Sequence, residues 1–193
     1  MNGENHVIES KRAHGIDRFR TLLALLLLLL MPAGNFAVAG DAVETAGDVL
    51  QVVLPISGAG LALAKHDREG VTQLVKSGAL ATVVTMGMKY TIPATRPNGG
   101  DHSFPSRHAS TSFASAEFIR ERYGWNYGIP AYVVASFVGY SRVEAKQHYT
   151  RDVIAGAVIG IGSSLLFTEP QKGWNVQPEL ASSSYGISLS RRW

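Results

Sequence analysis

The chain has 193 residues, the length of one domain, with a formal net charge of +3 and a mean hydropathy of +0.06. Positive charge this slight and this scattered excludes a nucleic-acid-binding surface, so no nucleic acid partner is predicted. The absence of cysteine excludes a disulfide framework and a thiolate metal site.

Residues 1–39 predict a signal peptide or an N-terminal anchor helix. Residues 11–20 are basic, residues 21–31 are almost pure leucine, and the segment ends in Ala37-Val38-Ala39. A basic region, a short apolar core and an Ala-x-Ala site are the three parts of a secretory signal peptide. The apolar core is shorter than the ~20 residues that a membrane-crossing helix needs. Cleavage after Ala39 is therefore favoured over retention as an anchor, and in both cases the following residues begin outside the cytoplasm.

The pattern of residues 40–168 predicts an all-α fold, an antiparallel bundle of about five to six helices. Pro55 is expected to kink the first helix. The proline- and glycine-rich stretch from Pro93 to Pro105 predicts a loop. In chain order, the predicted helices cover residues 41–64, 71–89, 106–122, 131–145 and 151–168.

Membrane insertion stays open at this point. Charges in the third and fourth helices leave apolar stretches that are short for a bilayer, whereas residues 46–64 and 153–167 suit either membrane spans or buried core helices. A soluble or partly embedded bundle and a fully integral one both fit. Residues 169–193 are predicted to form a C-terminal tail that packs on the bundle or stays mobile.

Three short motifs lie in order along the bundle. Because neighbouring helices are antiparallel and their connections short, the helix ends that carry these motifs should meet at one end of the bundle. Together they supply cations for a dianionic group, two histidines and a carboxylate, which is what phosphate transfer needs without a metal. The motifs are Lys89-x(6)-Arg96-Pro97, Pro105-Ser106-Arg107-His108 and Ser141-Arg142-x(5)-His148-x(3)-Asp152.

The two histidines have different predicted roles. His148 is the candidate nucleophile, since a neutral imidazole can attack a phosphoryl group and form a covalent phosphohistidine. Asp152 shares a face with it if this stretch is helical, and would then orient the ring. His108 is the candidate general acid, with a reference pKa of about 6.5 suited to that task. The alternative is a helix-capping Asp152 beside an unrelated surface histidine.

The remaining site residues are predicted to bind phosphate. Lys89, Arg96 and Arg142 would neutralise its oxygens. Ser106 would cap a helix whose first-turn amides face the same group. Taken singly, each of these side chains is more often a solvated surface charge or a plain cap, so the prediction rests on their convergence.

The combination of motifs resembles the type 2 phosphatidic acid phosphatase and vanadium haloperoxidase superfamily. The family pattern reads Lys-x(6)-Arg-Pro, Pro-Ser-Gly-His and Ser-Arg-x(5)-His-x(3)-Asp, and the likeness extends over about residues 45–168. The resemblance implies the same roles for His148 and Asp152. Arg107 stands where the family has a glycine that lets the backbone approach the phosphate. Arg107 either adds a fourth cation to the site or points away from it.

We therefore expect a phosphatase that hydrolyses a lipid phosphate or pyrophosphate through phospho-His148, without metal or cofactor. It would act at the inner membrane or in the periplasm of a bacterial envelope, with the site facing the periplasm. The resemblance implies a phosphorylated lipid as partner, with the membrane surface or bilayer close by. Three alternatives stay open: a periplasmic acid phosphatase for soluble phosphomonoesters, a vanadate-dependent haloperoxidase, and an inactive envelope protein whose pocket Arg107 obstructs.

Overall fold

A computed structural model describes residues 39–171, 173–181 and 184–192, with side chains described from residue 40 to residue 171. The predicted signal peptide or anchor thus lies outside the described residues, apart from Ala39. Contacts divide the chain into a first unit, Met1–Ala42, and a second unit, Val43–Trp193. The second unit carries all of the predicted motifs.

Five helices make up the described bundle, which confirms the predicted all-α fold. Three of the connections between them are five residues or shorter, and only the loop over residues 92–106 is longer. Helices joined in this way run antiparallel, so α2 and α4 end where α3 and α5 begin. In chain order the helices are α1 (Ala39–Ala64), α2 (Arg68–Thr91), α3 (Arg107–Tyr123), α4 (Trp125–Glu144) and α5 (Thr150–Phe167).

Side-chain caps set the starts of α2 and α3. An oxygen of Asp67 accepts a hydrogen bond from the amide of Gly70 at 2.9 Å, and α2 begins at Arg68. The hydroxyl of Ser106 accepts from the amide of Ala109 at 3.4 Å, and α3 begins at Arg107. The start of α3 therefore confirms the predicted boundary.

The predicted start of α4 is wrong. The helix begins at Trp125 and contains Pro130, instead of beginning after that proline. Gly124, with φ of 89°, ends α3 and turns the chain directly into α4. The amide of Gly128 then donates to the Gly124 carbonyl at 3.0 Å, so one turn is formed before the missing proline donor is reached.

α3 and α5 lie in direct backbone contact. A Cβ atom added at Gly156 would lie 2.4 Å from the carbonyl oxygen of Ser106, and one added at Gly160 would lie 2.2 Å from that of Ser110. The amide of Ser106 also donates to the carbonyl of Asp152 at 2.9 Å. The first turns of the two helices are thereby fixed against each other.

The interior of the bundle combines large apolar side chains, such as Leu50 and Phe118, with many hydroxyl groups, and other large aliphatic side chains point outward. Thr85 donates to Ser110 at 2.9 Å between α2 and α3. Hydrogen bonds and close contacts between small residues are the usual means of joining helices in membranes. Buried hydroxyls include Ser77, Ser112, Ser115, Ser163 and Ser164, and exposed aliphatics include Val52, Ile56, Leu63, Val83, Val158 and Leu166.

Two described helices are long and apolar enough to cross a membrane. These are Gly40–Ala64 and Thr150–Phe167, with mean hydropathies of 1.5 and 1.4. Only 39% and 28% of their most apolar windows are buried, which is low for core helices of a soluble protein. These two apolar and largely outward-facing helices suggest membrane association.

A buried ion pair closes the bundle at the end opposite the motifs. Arg122 donates to both carboxylate oxygens of Asp67, at 2.8 and 2.7 Å, and Tyr123 donates to one of them at 2.9 Å. Arg122 also donates to the carbonyl of Glu169 at 2.8 Å. This pair ties together the α1–α2 turn, the end of α3 and the segment after α5.

A two-stranded antiparallel hairpin follows the bundle. β1 (Gly173–Ala181) pairs with β2 (Ser184–Arg192), with Val176 opposite Leu189. Both strands lie within the predicted C-terminal tail, and Pro178 of β1 is opposite Ile187 of β2.

Candidate active site

A cavity of about 280 Å³ lies at the end of the bundle where the three motifs meet. It opens where α2 and α4 end and where α3 and α5 begin. Six of the eight predicted site residues line it, and the other two, Ser106 and Asp152, are fully buried. The lining residues are Glu44, Asp48, Lys89, Arg96, Arg107, His108, Arg142, Gln147 and His148.

Lys89 and Arg96 are held in the cavity by backbone carbonyls of the α2–α3 loop. Nζ of Lys89 donates to the carbonyl of His102 at 2.6 Å. Nε of Arg96 donates to the carbonyl of Asp101 at 3.1 Å. Burial and, to a lesser extent, the adjacent Arg96 lower the pKa of Lys89 to about 8. Both cations are thus positioned by the loop, with other N–H groups left for a ligand.

Arg142 reaches the same cavity from the last turn of α4, and its side chain is almost completely buried. Its Nη1 donates to Asp48 at 2.8 Å and its Nη2 to the carbonyl of Glu44 at 2.6 Å. A guanidinium has five N–H donors, so α1 orients this group without using all of them.

Arg107 lines the cavity and does not point away from it, which are the two positions that the sequence leaves open for this side chain. It is the first residue of α3 and is exposed. Ser106, predicted to bind phosphate, is fully buried and does not line the cavity, because its hydroxyl caps α3 instead. The geometry therefore supports the predicted helix cap at Ser106, and it shows no contact of the Ser106 hydroxyl with the cavity.

His148 lies in the turn before α5, so the condition that it share a helix with Asp152 is not met. The amides of Gln147 and His148 both donate to the carbonyl of Arg142, at 3.0 and 3.1 Å. This turn explains the five-residue spacing between Arg142 and His148, since it folds the histidine back to the end of α4. His148 is buried, unlike the surface histidine of the alternative interpretation.

Asp152 caps α5 and also faces His148. Its Oδ2 accepts from the amide of Tyr149 at 3.0 Å and from the hydroxyl of Ser103 at 2.5 Å. The same oxygen lies 3.7 Å from Nδ1 of His148. Because Nδ1 faces the carboxylate, Nε2 is the ring nitrogen available to a group in the cavity.

Both histidines are neutral at physiological pH. Burial and, to a lesser extent, the cations Lys89 and Arg96 lower the pKa of His148 to about 4. Burial also lowers the pKa of His108 to about 4, with Arg142 acting in the same direction and Asp48 opposing it. In the free site the pKa of His108 therefore lies below the reference value of about 6.5. A bound dianion would favour its protonated form.

Three cavity residues escaped the sequence analysis. Glu44 and Asp48 lie one turn apart on α1, and Gln147 precedes His148. Gln147 accepts from Arg96 at 2.6 Å and donates to Glu44 at 3.1 Å. Two carboxylates at a helical spacing near the start of an otherwise apolar helix are the signal that could have identified the acidic pair.

Comparisons with known proteins agree with this geometry. The family model described as PAP2 superfamily matches residues 70–173. The crystal structure of Aquifex aeolicus LpxE superposes with a TM-score of 0.51 at 24% identity, covering 62% of this chain and 83% of that chain. That likeness concerns the fold alone.

Two curated relatives are lipid A phosphatases. A lipid A 4′-phosphatase of Helicobacter pylori is 30% identical over 199 residues, which cover 92% of this chain and 100% of the relative. A lipid A 1-phosphatase of Porphyromonas gingivalis is 35% identical over 139 residues, which cover 61% of this chain and 31% of that longer protein. The family match spans more than half of the chain and the Helicobacter relative nearly all of it, so this phosphoric ester hydrolase belongs to the PAP2 superfamily.

Proposed function

We propose that the protein removes a phosphate group from a lipid of the bacterial envelope, with lipid A phosphomonoesters as the first substrates to test. The observation that carries the proposal is a single cavity lined by four cations and both histidines. The two curated relatives are lipid A phosphatases, which directs the choice of lipid. The cavity admits a phosphate group, and the alcohol part of the substrate would remain at its mouth.

The proposed reaction has two steps. Nε2 of His148 attacks phosphorus, the bond to the leaving oxygen breaks, and His108 gives that oxygen a proton. Water then attacks the phosphohistidine, His108 takes a proton from it, and inorganic phosphate forms while His148 is regenerated. Asp152 stabilises the positive charge that His148 carries during transfer.

Four cations around the phosphate supply the charge stabilisation that this reaction needs, so we propose that turnover requires no metal. Arg107, in place of the family's glycine, contributes one of them. The same chemistry applies to a pyrophosphate group, whose terminal phosphate would be transferred to His148.

The outward faces of the bundle favour a membrane location over a soluble periplasmic one. Large aliphatic residues are exposed along α1, α2 and α5. Exposed tyrosines lie at the cavity end, and Trp125 is exposed at the opposite end. Aromatic residues of this kind concentrate at the two interfaces of a bilayer. The exposed tyrosines are Tyr90, Tyr140 and Tyr149. We propose that the bundle is embedded with the cavity facing the periplasm.

Phosphate release tests the catalytic proposal. Purified protein in detergent is given lipid A, phosphatidic acid and a soluble phosphomonoester with EDTA present, and products are identified by mass spectrometry. We expect release from lipid A, and a loss of at least about 1000-fold in His148→Ala. His66→Ala is the matched control, because His66 lies in the turn at the opposite end. Release that persists in His148→Ala, or that EDTA abolishes, would contradict the mechanism.

Orientation is tested separately by labelling. The chain has no cysteine, so single cysteines at Thr95 and Arg68 mark the cavity end and the opposite end. We expect a membrane-impermeant maleimide added to intact spheroplasts to label only Thr95→Cys. Labelling of Arg68→Cys alone would place the cavity on the cytoplasmic side.

A further inference from the structure

The α1 helix contributes an acidic face to the cavity that lies outside the region matched by the family model. Glu44 and Asp48 are one turn apart, and the match begins at residue 70. Gly47, between them, permits the approach: a Cβ atom there would lie 1.9 Å from Oγ of Ser141 and 2.8 Å from Nη2 of Arg142. The sequence of α1 is thus adapted to bring these carboxylates against the end of α4.

Asp48 contacts His108 and Arg142 with the same oxygen. Its Oδ1 lies 3.0 Å from Nε2 of His108 and 2.8 Å from Nη1 of Arg142. The carboxylate is about half exposed at the cavity mouth, so it remains accessible to solvent while it holds both groups. The site therefore contains two histidine–carboxylate pairs, one completed by α5 and the other by α1.

We propose that Asp48 is a positioning residue of the reaction, which orients the His108 imidazole and stabilises its protonated form for transfer to the leaving oxygen. This inference rests on the proposed role of His108 as general acid. Nε2–H donates to Asp48, so the proton that moves to the leaving oxygen is the one on Nδ1. After transfer the ring is neutral and still donates through Nε2, which keeps its orientation for the second step.

The charges around His108 show why such a partner is needed. Arg142 on α4 and Arg107 on its own helix both disfavour a positive imidazole, as does burial. Asp48 is the carboxylate in contact with the ring, and Glu44, one turn earlier on α1, lines the same cavity. Without Asp48 the described groups nearest to the ring would be cations, and the acid would lose its proton more readily.

The kinetic test compares leaving groups. An alkoxide such as that of a lipid A phosphate needs a proton, whereas 4-nitrophenolate leaves without one. In Asp48→Asn we expect the single-turnover rate of the first step to fall about tenfold on lipid A and less than about twofold on 4-nitrophenyl phosphate. The alkaline limb of the kcat profile on lipid A should move about one pH unit lower. Asp48→Glu should recover most of the rate.

Glu144→Gln is the matched control. Glu144 is a carboxylate on the last turn of α4 at the same end of the bundle, is exposed, and does not line the cavity. We expect its kinetics to equal those of the wild type on both substrates. If Glu144→Gln loses as much activity as Asp48→Asn, the effect comes from the overall surface charge and not from the contact between Asp48 and His108.

A measurement independent of turnover uses the ring nitrogens. In wild-type protein labelled with ¹⁵N-histidine, the chemical shifts of His108 at neutral pH should report a proton on Nε2, and Asp48→Asn should show a mixture of tautomers.

Three outcomes would contradict part of this picture. If Asp48→Asn loses the same activity on both substrates and the chemical shifts of His108 do not change, Asp48 only holds Arg142 in place. If Asp48→Asn binds inorganic phosphate more tightly than the wild type, the Asp48 carboxylate competes with the phosphate group of the substrate. If the wild-type protein releases no phosphate, the proposed function is refuted. The ¹⁵N chemical shifts of His108 would still test whether Asp48 pairs with this ring.

Discussion

Nδ1 of His148 lies 3.7 Å from Oδ2 of Asp152, within ion-pair distance but beyond a normal hydrogen bond. Two other donors, from Tyr149 and Ser103, already occupy that oxygen. Oδ1 of Asp152 and Nδ1 of His148 have no hydrogen-bond partner among the described residues. The distance between these two side chains can shorten when a bound phosphate moves the imidazole, because catalytic contacts often tighten on substrate binding.

Asp152→Asn should therefore reduce kcat by about 1000-fold, because the amide cannot stabilise a positive His148. The same change weakens the cap on α5 and should cost about 1 kcal/mol of unfolding free energy. Ser103→Ala is the control: it removes one bond to the same oxygen but keeps the carboxylate charge. Steady-state kinetics and thermal unfolding of both variants separate the two effects. Similar rates for Asp152→Asn and Ser103→Ala would show that the charge is unimportant.

Arg107→Gly restores the glycine of the family pattern, and we expect it to weaken substrate binding. The side chain lines the cavity, so its loss removes one of four cations and should raise KM about fivefold, with a smaller effect in high salt. Arg68→Gly is matched to it, because Arg68 is also an exposed first residue of a helix but lies at the opposite end. Activity that appears only in Arg107→Gly would show instead that the arginine obstructs the site.

The lowered pKa of Lys89 predicts an alkaline limit for catalysis. Burial brings this pKa to about 8, so above that pH the free enzyme loses one phosphate-binding charge and kcat/KM should fall. Lys89→Arg should move this limb to higher pH, since a guanidinium stays charged. Lys76→Arg, at an exposed position on the same helix, is expected to leave the profile unchanged. A profile that is flat from pH 7 to 10 would contradict the assignment.

The buried His148 and the partly buried His108 predict a loss of stability in mild acid. Their pKa values are lowered to about 4, while the unfolded chain takes up protons near 6.5. Between these values the unfolded state binds protons that the folded state does not, so the free energy of unfolding decreases as pH falls through this window. Thermal unfolding at pH 7 and 4.5 tests this. A variant with glutamine at both His108 and His148 should lose less on acidification than the wild type.

Glycine positions on α5 should respond in opposite ways to alanine. A methyl group at Gly160 meets the backbone of α3, so Gly160→Ala should destabilise the protein by about 1–3 kcal/mol. No atom lies within 4 Å of the position a Cβ would take at Gly162 on the same helix. Gly162→Ala should therefore be neutral or stabilise by up to about 1 kcal/mol through helix propensity. Equal unfolding temperatures for the two variants would argue against the close contact.

Much of the site follows from local sequence. The spacing from Arg142 to His148 reflects one turn, and Ser106 marks the start of α3, so motif and helix-end reasoning found these residues. Glu44 and Asp48 were missed because their roles depend on contacts with residues about a hundred and about sixty positions later. Such contacts leave only a weak trace in α1 itself.

The late start predicted for α4 has its origin in Pro130. Proline removes one donor but does not prevent a helix when neighbouring residues supply enough backbone hydrogen bonds. The lowered pKa of His108 was also beyond the sequence, since burial and the approach of Arg142 are properties of the fold.

The buried hydroxyls add a second class of sensitive positions to the large apolar side chains of the core, such as Phe118. Outer residues such as Val158 and Leu166 keep the same surroundings whether or not neighbouring helices are docked, so shortening them should change the docking equilibrium little. Inner hydroxyls such as Ser110 lie where another helix comes within contact distance, so even one extra carbon atom would push two helices apart. Tolerance to mutation should therefore be lowest at the small residues that lie between helices, such as Ser110 and Gly160, and higher at the outward aliphatic positions.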